Sequence, residues 1–407
     1  MKSHAHTASN ILPGPASLAA RRPFLTAFAL SLGAAVSLGL TRFSYALLLP
    51  PMRADLDWSY FLSGAMNTGN ALGYFLGALV TPALMRRYGA QTSLVGGAIL
   101  ASLVMLLSGF VVDVEVLIGQ RVLAGIASAF IFISGGLLAA RLGLLHPQHA
   151  GLLLGIYYGG TGLGIVASSL LVPLAMSAAA ARGAPHAWQW AWIALAALCL
   201  LATLAMTAPA RQVDGAPSQA SGQGTFRLAP FGFALAGYLM FGVGYIGYMT
   251  FVIALLKEQG MDGATITLFY SMLGLAVMAS SRIWARMLDH FKGGQAMAIL
   301  NALLGVATIL PALTAAPSLM FVSGLLFGGI FLSVVASTTA LVRHNLPQHA
   351  WSAGISAFAT VFALGQIIGP STIGWIADGP GGLQRGLVFS ALALFVGALL
   401  ASRQRAL

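Results

Sequence analysis

Long apolar runs alternate with short polar loops along almost the whole chain. A membrane-spanning helix needs about 20 mostly apolar residues, and twelve runs reach that length. They lie at residues 24–50, 60–84, 91–111, 115–140, 151–176, 189–208, 230–256, 264–287, 296–315, 318–342, 353–376 and 384–402. The pattern predicts an all-α integral membrane protein with twelve transmembrane helices. Because the number of spans is even, we expect both termini on one side of the membrane.

One long polar segment, residues 211–228, separates the first six runs from the last six. It is rich in Gly, Ser, Gln and Pro, so it cannot bury enough apolar surface to fold alone and is typical of a flexible linker. The two sides repeat each other, since Pro-Gln-His-Ala occurs at 147–150 and again at 347–350. Three further pairs match at an offset of 203 residues: Gly39 and Gly242, Tyr45 and Tyr248, and Gly125 and Gly328.

These features predict two pseudo-symmetric six-helix bundles. We assign residues 24–210 to the N-terminal bundle and 229–407 to the C-terminal bundle with its short cytoplasmic tail. Residues 211–228 form the predicted cytoplasmic linker, and residues 1–23 form a predicted cytoplasmic N-terminal tail.

Composition agrees with a membrane protein. Hydrophobic residues make up 58% of the chain and charged residues 7%, whereas a soluble domain has about 25% charged residues. The net charge of +11 is spread over short loops and not gathered in one patch, which argues against nucleic-acid binding. The single cysteine, Cys199, lies inside an apolar run, so we expect no intramolecular disulfide. We expect no metal and no cofactor.

The basic residues predict the orientation. With both termini in the cytoplasm, fourteen of the 20 Lys and Arg residues lie on the inner side, four lie outside and two lie within spans. This bias follows the positive-inside rule. We therefore predict a multi-pass protein with cytoplasmic N- and C-termini.

Several local motifs resemble those of the major facilitator superfamily. The loop after the second span ends in Arg86-Arg87-Tyr-Gly89, although Arg86 stands where the superfamily motif has Asp. The fourth span carries Arg121 and Gly125 four residues apart, and the eleventh carries Gly365-Gln366-Ile-Ile-Gly369-Pro370. The segment Gly39-Leu-Thr-Arg42-Phe-Ser-Tyr45 is similar to the YbfB/YjiJ-type bacterial group of this superfamily.

This resemblance implies a secondary active or facilitative transporter of a small organic solute that works by alternating access. It also implies a location in the bacterial inner membrane. We expect partners to be limited to the small-molecule substrate and the lipid bilayer, and we expect a monomer. The sequence carries none of the hydrolase, metalloprotease or nucleotide-binding motifs that would indicate an enzyme.

Arg42 and Arg121 are the strongest candidates for substrate contact. An arginine at bilayer depth costs about 2.5–3.5 kcal/mol on insertion scales, so it usually faces a wet cavity or a partner. Both lie roughly 9–12 Å from the outer ends of their predicted spans. In the superfamily these two spans line the central cavity, which suggests a site for an organic anion. A structural or gating role remains open for Arg121.

Polar and aromatic residues of other spans complete the predicted site, with helix packing as the alternative for each. These further substrate-binding candidates are Tyr45, Asn67, Asn70, Tyr157, Tyr158, Tyr245, Tyr248 and Gln366. The residues expected to act in gating or in helix packing are Arg86, Arg87, Gly89, Gly125, Gly159, Gly160, Gly365, Gly369 and Pro370.

Two other functions remain open. Efflux of many amphipathic compounds would suit the Met and aromatic content, and a non-transporting membrane sensor could use the same fold. No acidic residue lies well inside a span, and every histidine lies in a tail, a loop or a helix end. An intramembrane proton relay is therefore not evident, and an organic cation would find no negative partner.

Overall fold

The computed structural model describes residues 21–214 and 227–407, and this part of the chain is helical without strands. Twelve long helices follow one another, with α1 divided into three segments described below. They are α1 Pro23–Asp55, α2 Tyr60–Tyr88, α3 Ala90–Ser108, α4 Val114–Leu145, α5 Ala150–Ala180, α6 Ala187–Asp214, α7 Gly232–Glu258, α8 Gly263–Ile283, α9 Gln295–Leu313, α10 Pro317–Asn345, α11 Trp351–Ala377 and α12 Gly382–Ser402.

The twelve predicted helices are therefore confirmed. Eleven of them are long and apolar enough to cross a membrane. The remaining one, α2, is less apolar because it carries Asn67, Asn70 and two terminal arginines. A short helix, Ala285–His290, follows α8 after a break at Trp284.

Several helix ends differ from the prediction. Helix α1 continues through Pro50 and Pro51 to Asp55, although each proline removes a backbone donor. Helix α6 continues to Asp214, so residues 211–214 of the predicted linker are helical. Linker residues 215–226 and tail residues 1–20 lie outside the described ranges.

The middle of α1, Ala35–Phe43, is a π-helix and contains Arg42. Within it, the Ser44 N–H donates to the carbonyl of Gly39, and the Thr41 hydroxyl donates to the carbonyl of Val36 at 2.6 Å. The backbone bond from Ser44 reaches five residues back, as the wider π turn requires. Such segments are rare and are frequent at functional sites.

Glycines on α5 allow it to approach this part of α1 closely. A Cβ atom at Gly160 would overlap the carbonyl oxygen of Ser31, and one at Gly164 would lie 2.5 Å from the carbonyl oxygen of Ala35. By contrast, the nearest atom to a Cβ at Gly159 would be 3.8 Å away. The close contact predicted for this helix therefore uses Gly160 and Gly164 and not Gly159.

The two six-helix halves meet along α2 and α11, along α5 and α8, and where the last segment of α1 packs on α7. We call the end of the bundle where α1 ends and α2 begins the far end. The opposite end, where α1 begins and α12 ends, is the terminal end.

Hydrogen bonds join the halves at the far end. The carboxylate of Asp378, which follows α11, accepts the backbone N–H groups of Tyr60 and Phe61 at 2.7 and 2.8 Å. The Tyr60 hydroxyl donates to the carboxylate of Glu258 at the end of α7. Gly64 lies so close to Pro370 that a Cβ atom there would overlap the proline carbonyl oxygen. The far end is closed by these contacts.

At the terminal end the same helix faces separate. On α11, Ser371 and Ile367 contact Thr68 of α2. The same face of α11 carries Thr360 and Ser356, two and three turns before Ile367, and both of these residues are exposed. On α2, the face of Thr68 continues to Leu79, which is 62% exposed. Helices α2 and α11 are therefore in contact near the far end and diverge toward the terminal end.

Candidate functional site

Arg42 connects the two halves in the middle of the bundle. Its Nη2 donates to Oε1 of Gln366 on α11 at 2.9 Å, and Nε2 of Gln366 donates to the hydroxyl oxygen of Tyr245 on α7 at 2.7 Å. The arginine is only 2% exposed. It lies 13 residues before the end of α1 at Asp55, which is about 20 Å along a helix axis. Helix α1 ends five residues later than the predicted span, so Arg42 is further from the helix end than predicted.

Arg121 lies beside Arg42 on α4. Its Nη1 donates to the carbonyl oxygen of Thr41, the residue before Arg42, at 2.9 Å. Its guanidinium carbon lies 5.2 Å from the ring centre of Tyr45 and 5.6 Å from that of Trp192, within cation–π range. The π-helical segment of α1 thus brings the two arginines together, although they come from different helices.

Both guanidinium groups retain N–H groups that have no hydrogen-bond partner among the described residues. These are Nε of Arg42 and both Nε and Nη2 of Arg121, and all three atoms are buried. Within the described part of the chain, neither arginine forms a salt bridge with a carboxylate. Two cations therefore share a buried region without an anion.

The two predicted asparagines of α2 form hydrogen bonds to α7 and to α4. Nδ2 of Asn67 donates to the Thr250 hydroxyl of α7 at 2.8 Å, and Nδ2 of Asn70 donates to the backbone carbonyl of Arg121 at 3.2 Å. Their side-chain oxygens are buried and have no partner among the described residues. Asn67 therefore joins the halves, and Asn70 holds α2 against α4.

An aromatic wall of the C-terminal half faces Arg42. Tyr245 stacks on Phe362 and Phe331, with ring centres 5.5 and 6.0 Å apart. Phe241 stacks on both Tyr245 and Phe362, and Tyr238 stacks on Phe362 at 4.9 Å. This series runs along α7 from the arginine layer toward the terminal end.

A second aromatic group lies on the N-terminal half. The Tyr158 ring lies 5.5 Å from that of Phe132 on α4. The Tyr74 hydroxyl on α2 lies close enough to Arg42, Tyr158 and Tyr245 to interact electrostatically with each of them. Helices α2 and α5 both pack on α4, and each also packs on one helix of the C-terminal half, α2 on α11 and α5 on α8.

Three predicted substrate-binding tyrosines use their hydroxyl groups in helix packing. All three are buried. The hydroxyl of Tyr45 donates to the carbonyl of Ser63, and that of Tyr157 donates to the carbonyl of Phe132. Tyr248 stacks on Phe327 at 4.0 Å and shares a hydrogen bond with the Ser323 hydroxyl. Of these, only Tyr45 touches the arginine layer.

The predicted gating residues divide into two groups. Gly125 packs against the backbone of α2 at Asn70, and Gly365 and Gly369 pack against α7, where Cβ atoms would lie 2.5 and 2.7 Å from carbonyl oxygens. Pro370 lies within α11 at the contact with Gly64. Arg86 and Arg87 are exposed at the end of α2, and Gly89, with φ of 86°, ends that helix.

Sequence reasoning did not select Phe362, Phe241, Tyr60 or Asp378. Asp378 lies at the end of a span, where an acidic residue is ordinary, and an aromatic residue in an apolar run carries no local signal. The spacing of Asn67, Asn70 and Tyr74, which places them on one face of α2, was the one signal that pointed to Tyr74.

Together, these features define a class of protein. Two six-helix halves enclose a polar site on their common interface, and this is the architecture of the major facilitator superfamily of transporters. A bacterial homologue of the human lysosomal transporter Spinster, in an inward-facing and unoccupied conformation, has the same fold, with a TM-score of 0.69 and 14% identity over 93% of this chain and 96% of that one.

Residues 34–402 match the family described as "Uncharacterised MFS-type transporter YbfB", and the chain belongs to that family. Two curated relatives match shorter segments. The multi-drug resistance efflux pump PmrA homolog of Lactococcus lactis subsp. lactis (strain IL1403) is 25% identical over 170 residues, 40% of each chain. An Agrobacterium vitis protein assigned to tartrate transport is 29% identical over 150 residues, 36% of this chain and 34% of its own length.

Proposed function

We propose that this protein is a secondary transporter that carries a small organic anion by alternating access, with Arg42 and Arg121 as its anion-binding groups. The observation that carries the proposal is the pair of buried guanidinium groups with unpartnered N–H groups and no carboxylate beside them. A buried charge is costly unless it is paired and hydrogen-bonded. A carboxylate substrate supplies both the negative charge and the missing acceptors.

Gln366 and Tyr245 support this assignment. Gln366 binds Arg42 from the other half of the protein, and Tyr245 accepts a hydrogen bond from Gln366. A ligand at Arg42 therefore touches both halves and responds when they rock against each other. The relative assigned to tartrate transport agrees with a carboxylate ligand, although it matches over only 34% of that protein.

The remaining features follow from the same proposal. With the positive-inside orientation, the terminal end lies in the cytoplasm and the described conformation is open to the inside. We propose a bacterial inner-membrane location, cytoplasmic termini, the linker and tail boundaries given above, and a monomer that binds neither nucleic acid nor a cofactor. It moves its substrate without chemical change and is not an enzyme.

The test is binding of carboxylates to purified protein in detergent, followed by uptake into liposomes. A ligand at 100 times its dissociation constant adds about 2.7 kcal/mol of stability, which a thermal-shift measurement detects. Arg42→Gln keeps length and polarity but removes the charge. Since hydrogen bonds to charged groups contribute about 1.5–3 kcal/mol, we expect binding to weaken roughly 10- to 150-fold.

Arg385→Gln is the matched control, because Arg385 is an exposed arginine at the far end. It should bind and transport like the wild type. Arg42→Lys separates two modes of binding: a bidentate carboxylate contact needs the planar guanidinium, so lysine would not restore it. Normal uptake by a correctly inserted Arg42→Gln protein would remove this residue from the site.

The second candidate function is efflux of amphipathic compounds. The aromatic wall of α7 and α11 favours it, as does the relationship to the efflux pump homolog. Stabilisation by hydrophobic cations alone, unaffected by Arg42→Gln, would support efflux and contradict the anion proposal.

A further inference from the structure

The space between the arginine layer and the open terminal end is bordered by aromatic side chains from both halves. Phe362 of α11 and Tyr74 and Phe132 of α2 and α4 are partly exposed, and Tyr158 of α5 is 36% exposed. Each projects from a helix that faces the other half or packs beside one that does. A ligand whose anionic group reaches Arg42 therefore places its remaining atoms among these rings.

The position of Tyr74 connects the two aromatic groups. Its hydroxyl lies within electrostatic range of Arg42, Tyr245 and Tyr158. Tyr157 and Tyr238 also lie within electrostatic range of Tyr74. Tyr238 in turn stacks on Phe362 at 4.9 Å. Tyr74 is thus within electrostatic range of members of both the N-terminal group and the C-terminal wall.

Ring orientation in the C-terminal wall suits a flat ligand. The planes of Phe241, Tyr245 and Phe362 differ by only 10–23°. The Tyr245 and Phe331 planes differ by 7°. Parallel rings continue a stack when a further planar group is added, and offset stacking contributes free energy beyond that of simple burial.

We propose that the substrates are aromatic or similarly planar monocarboxylates, with the carboxylate on Arg42 and Arg121 and the ring between Phe362 and Tyr158. This inference rests on the proposed anion transport and specifies its substrate class. A small hydroxylated dicarboxylate such as tartrate fits less well, because it has no ring to stack on Phe362.

Benzoate and cyclohexanecarboxylate provide a matched pair of probes. Both carry one carboxylate and a six-membered ring, but only benzoate is planar and aromatic. Stacking contributes about 0.5–1.5 kcal/mol beyond area burial, so wild-type protein should bind benzoate roughly 2- to 13-fold more tightly. Binding is measured by isothermal titration calorimetry or thermal shift on the full-length protein in detergent, with tartrate as a third probe.

Phe362→Leu and Tyr158→Leu remove a ring and keep an apolar side chain. Each should reduce or abolish the preference for benzoate and leave binding of cyclohexanecarboxylate within about twofold. Phe389→Leu is the control, because Phe389 lies on α12 in a surface groove beside Trp375, away from the arginine layer. It should behave as the wild type. Size-exclusion profiles and unfolding temperatures identify any variant that fails to fold.

The outcomes separate the two proposals. If benzoate and cyclohexanecarboxylate bind equally, or if tartrate binds most tightly, while Arg42→Gln weakens binding as expected, the aromatic inference is wrong and anion transport stands. If benzoate binds best but Phe362→Leu and Tyr158→Leu both retain the preference, the assigned location of the ring is wrong. If folded wild-type protein binds none of the carboxylates, both proposals fail.

Discussion

Asp378 offers a direct test of how the far end closes. Its two carboxylate oxygens accept the N–H groups of Tyr60 and Phe61, the first two residues of α2. The carboxylate thus acts as an N-terminal cap supplied by the opposite half of the protein, and it also lies at the positive end of the α2 dipole. These bonds exist only while α2 and α11 remain together. Asp378→Ala should therefore destabilise the state with a closed far end relative to the state with an open one.

The expected size of the effect follows from measured substitutions of helix-capping residues. Replacing a capping carboxylate by alanine lowers stability by about 0.5–2 kcal/mol, and about 1 kcal/mol is typical. These values include capping residues at exposed positions. Asp378 is exposed, so we use the typical value. A change of about 1 kcal/mol shifts the ratio of closed to open far ends about fivefold. The Tyr60–Glu258 hydrogen bond remains in this variant, so closure should be weakened and not abolished.

The measurement is a spin-label distance across the far end in liposomes. Cys199, the one cysteine, is buried and is replaced by alanine. Labels are placed at Ala54 and Ala264, both exposed, at the end of α1 and the start of α8. Asp378→Ala should increase the population of long distances.

Asp113→Ala is the control for that measurement. The Asp113 carboxylate also accepts two backbone N–H groups, those of Glu115 and Val116 at 3.0 Å, but it caps α4 within its own half. It should lower thermal stability without changing the distance distribution. The reasoning would be refuted if Asp378→Ala left the distances unchanged, or if Asp113→Ala changed them equally.

Two further predictions concern helix contacts near the far end. Gly64→Ala should increase the long-distance population in the same assay, because the new Cβ would overlap the Pro370 carbonyl oxygen. Gly119→Ala is the control and should have no effect, because there is open space around its Cβ. Equal behaviour of the two variants would contradict close packing as the cause. The pKa of Asp262, which caps α8, is lowered by hydrogen bonds from the Thr265 hydroxyl and backbone N–H and from the Ala264 N–H. At pH values above the ordinary carboxyl pKa of about 3.9, the wild type should therefore melt at a higher temperature than Asp262→Ala. This difference in melting temperature should vanish as the pH falls through the lowered pKa of Asp262. A difference that persists below pH 2 would exclude the carboxylate as its source.

The helices were predictable because each one is long enough to span a bilayer and is separated from the next by a polar loop. Their ends were less predictable. Pro50 and Pro51 signal a helix end in water, but α1 continues through them, since neighbouring groups in a membrane protein can satisfy the freed carbonyls. Apolar runs also cannot reveal a π-helical segment, because its apolar period over nine residues differs little from that of an α-helix.

The site was predictable as a set of residue types and not as a set of contacts. Arg42 and Arg121 stand out in any apolar span, because burying a guanidinium there has a cost that function must offset. Their partners do not stand out. Gln366 lies 324 residues from Arg42, and Asp378 lies 318 residues from Tyr60. No local pattern links positions so far apart, so Tyr157 and Tyr248 were as credible as Tyr245 until the helices were placed.

The internal repeat explains why Arg42 and Tyr245 meet. They occupy equivalent positions in the two halves, at the same offset of 203 residues that relates Gly39 to Gly242. Two residues related by a pseudo-two-fold axis come together only if both lie near that axis, and here one glutamine joins them. A residue on this axis stays close to both halves in the conformation that is open at the far end and in the one that is open at the terminal end.

The second arginine, Arg121, has no such counterpart. Its equivalent, Gly324, packs against the Phe269 ring and leaves no room for a long side chain. The N-terminal half therefore supplies the charge and the C-terminal half supplies the aromatic surface, so an asymmetric ligand with a charged end and an apolar end would bind in one orientation.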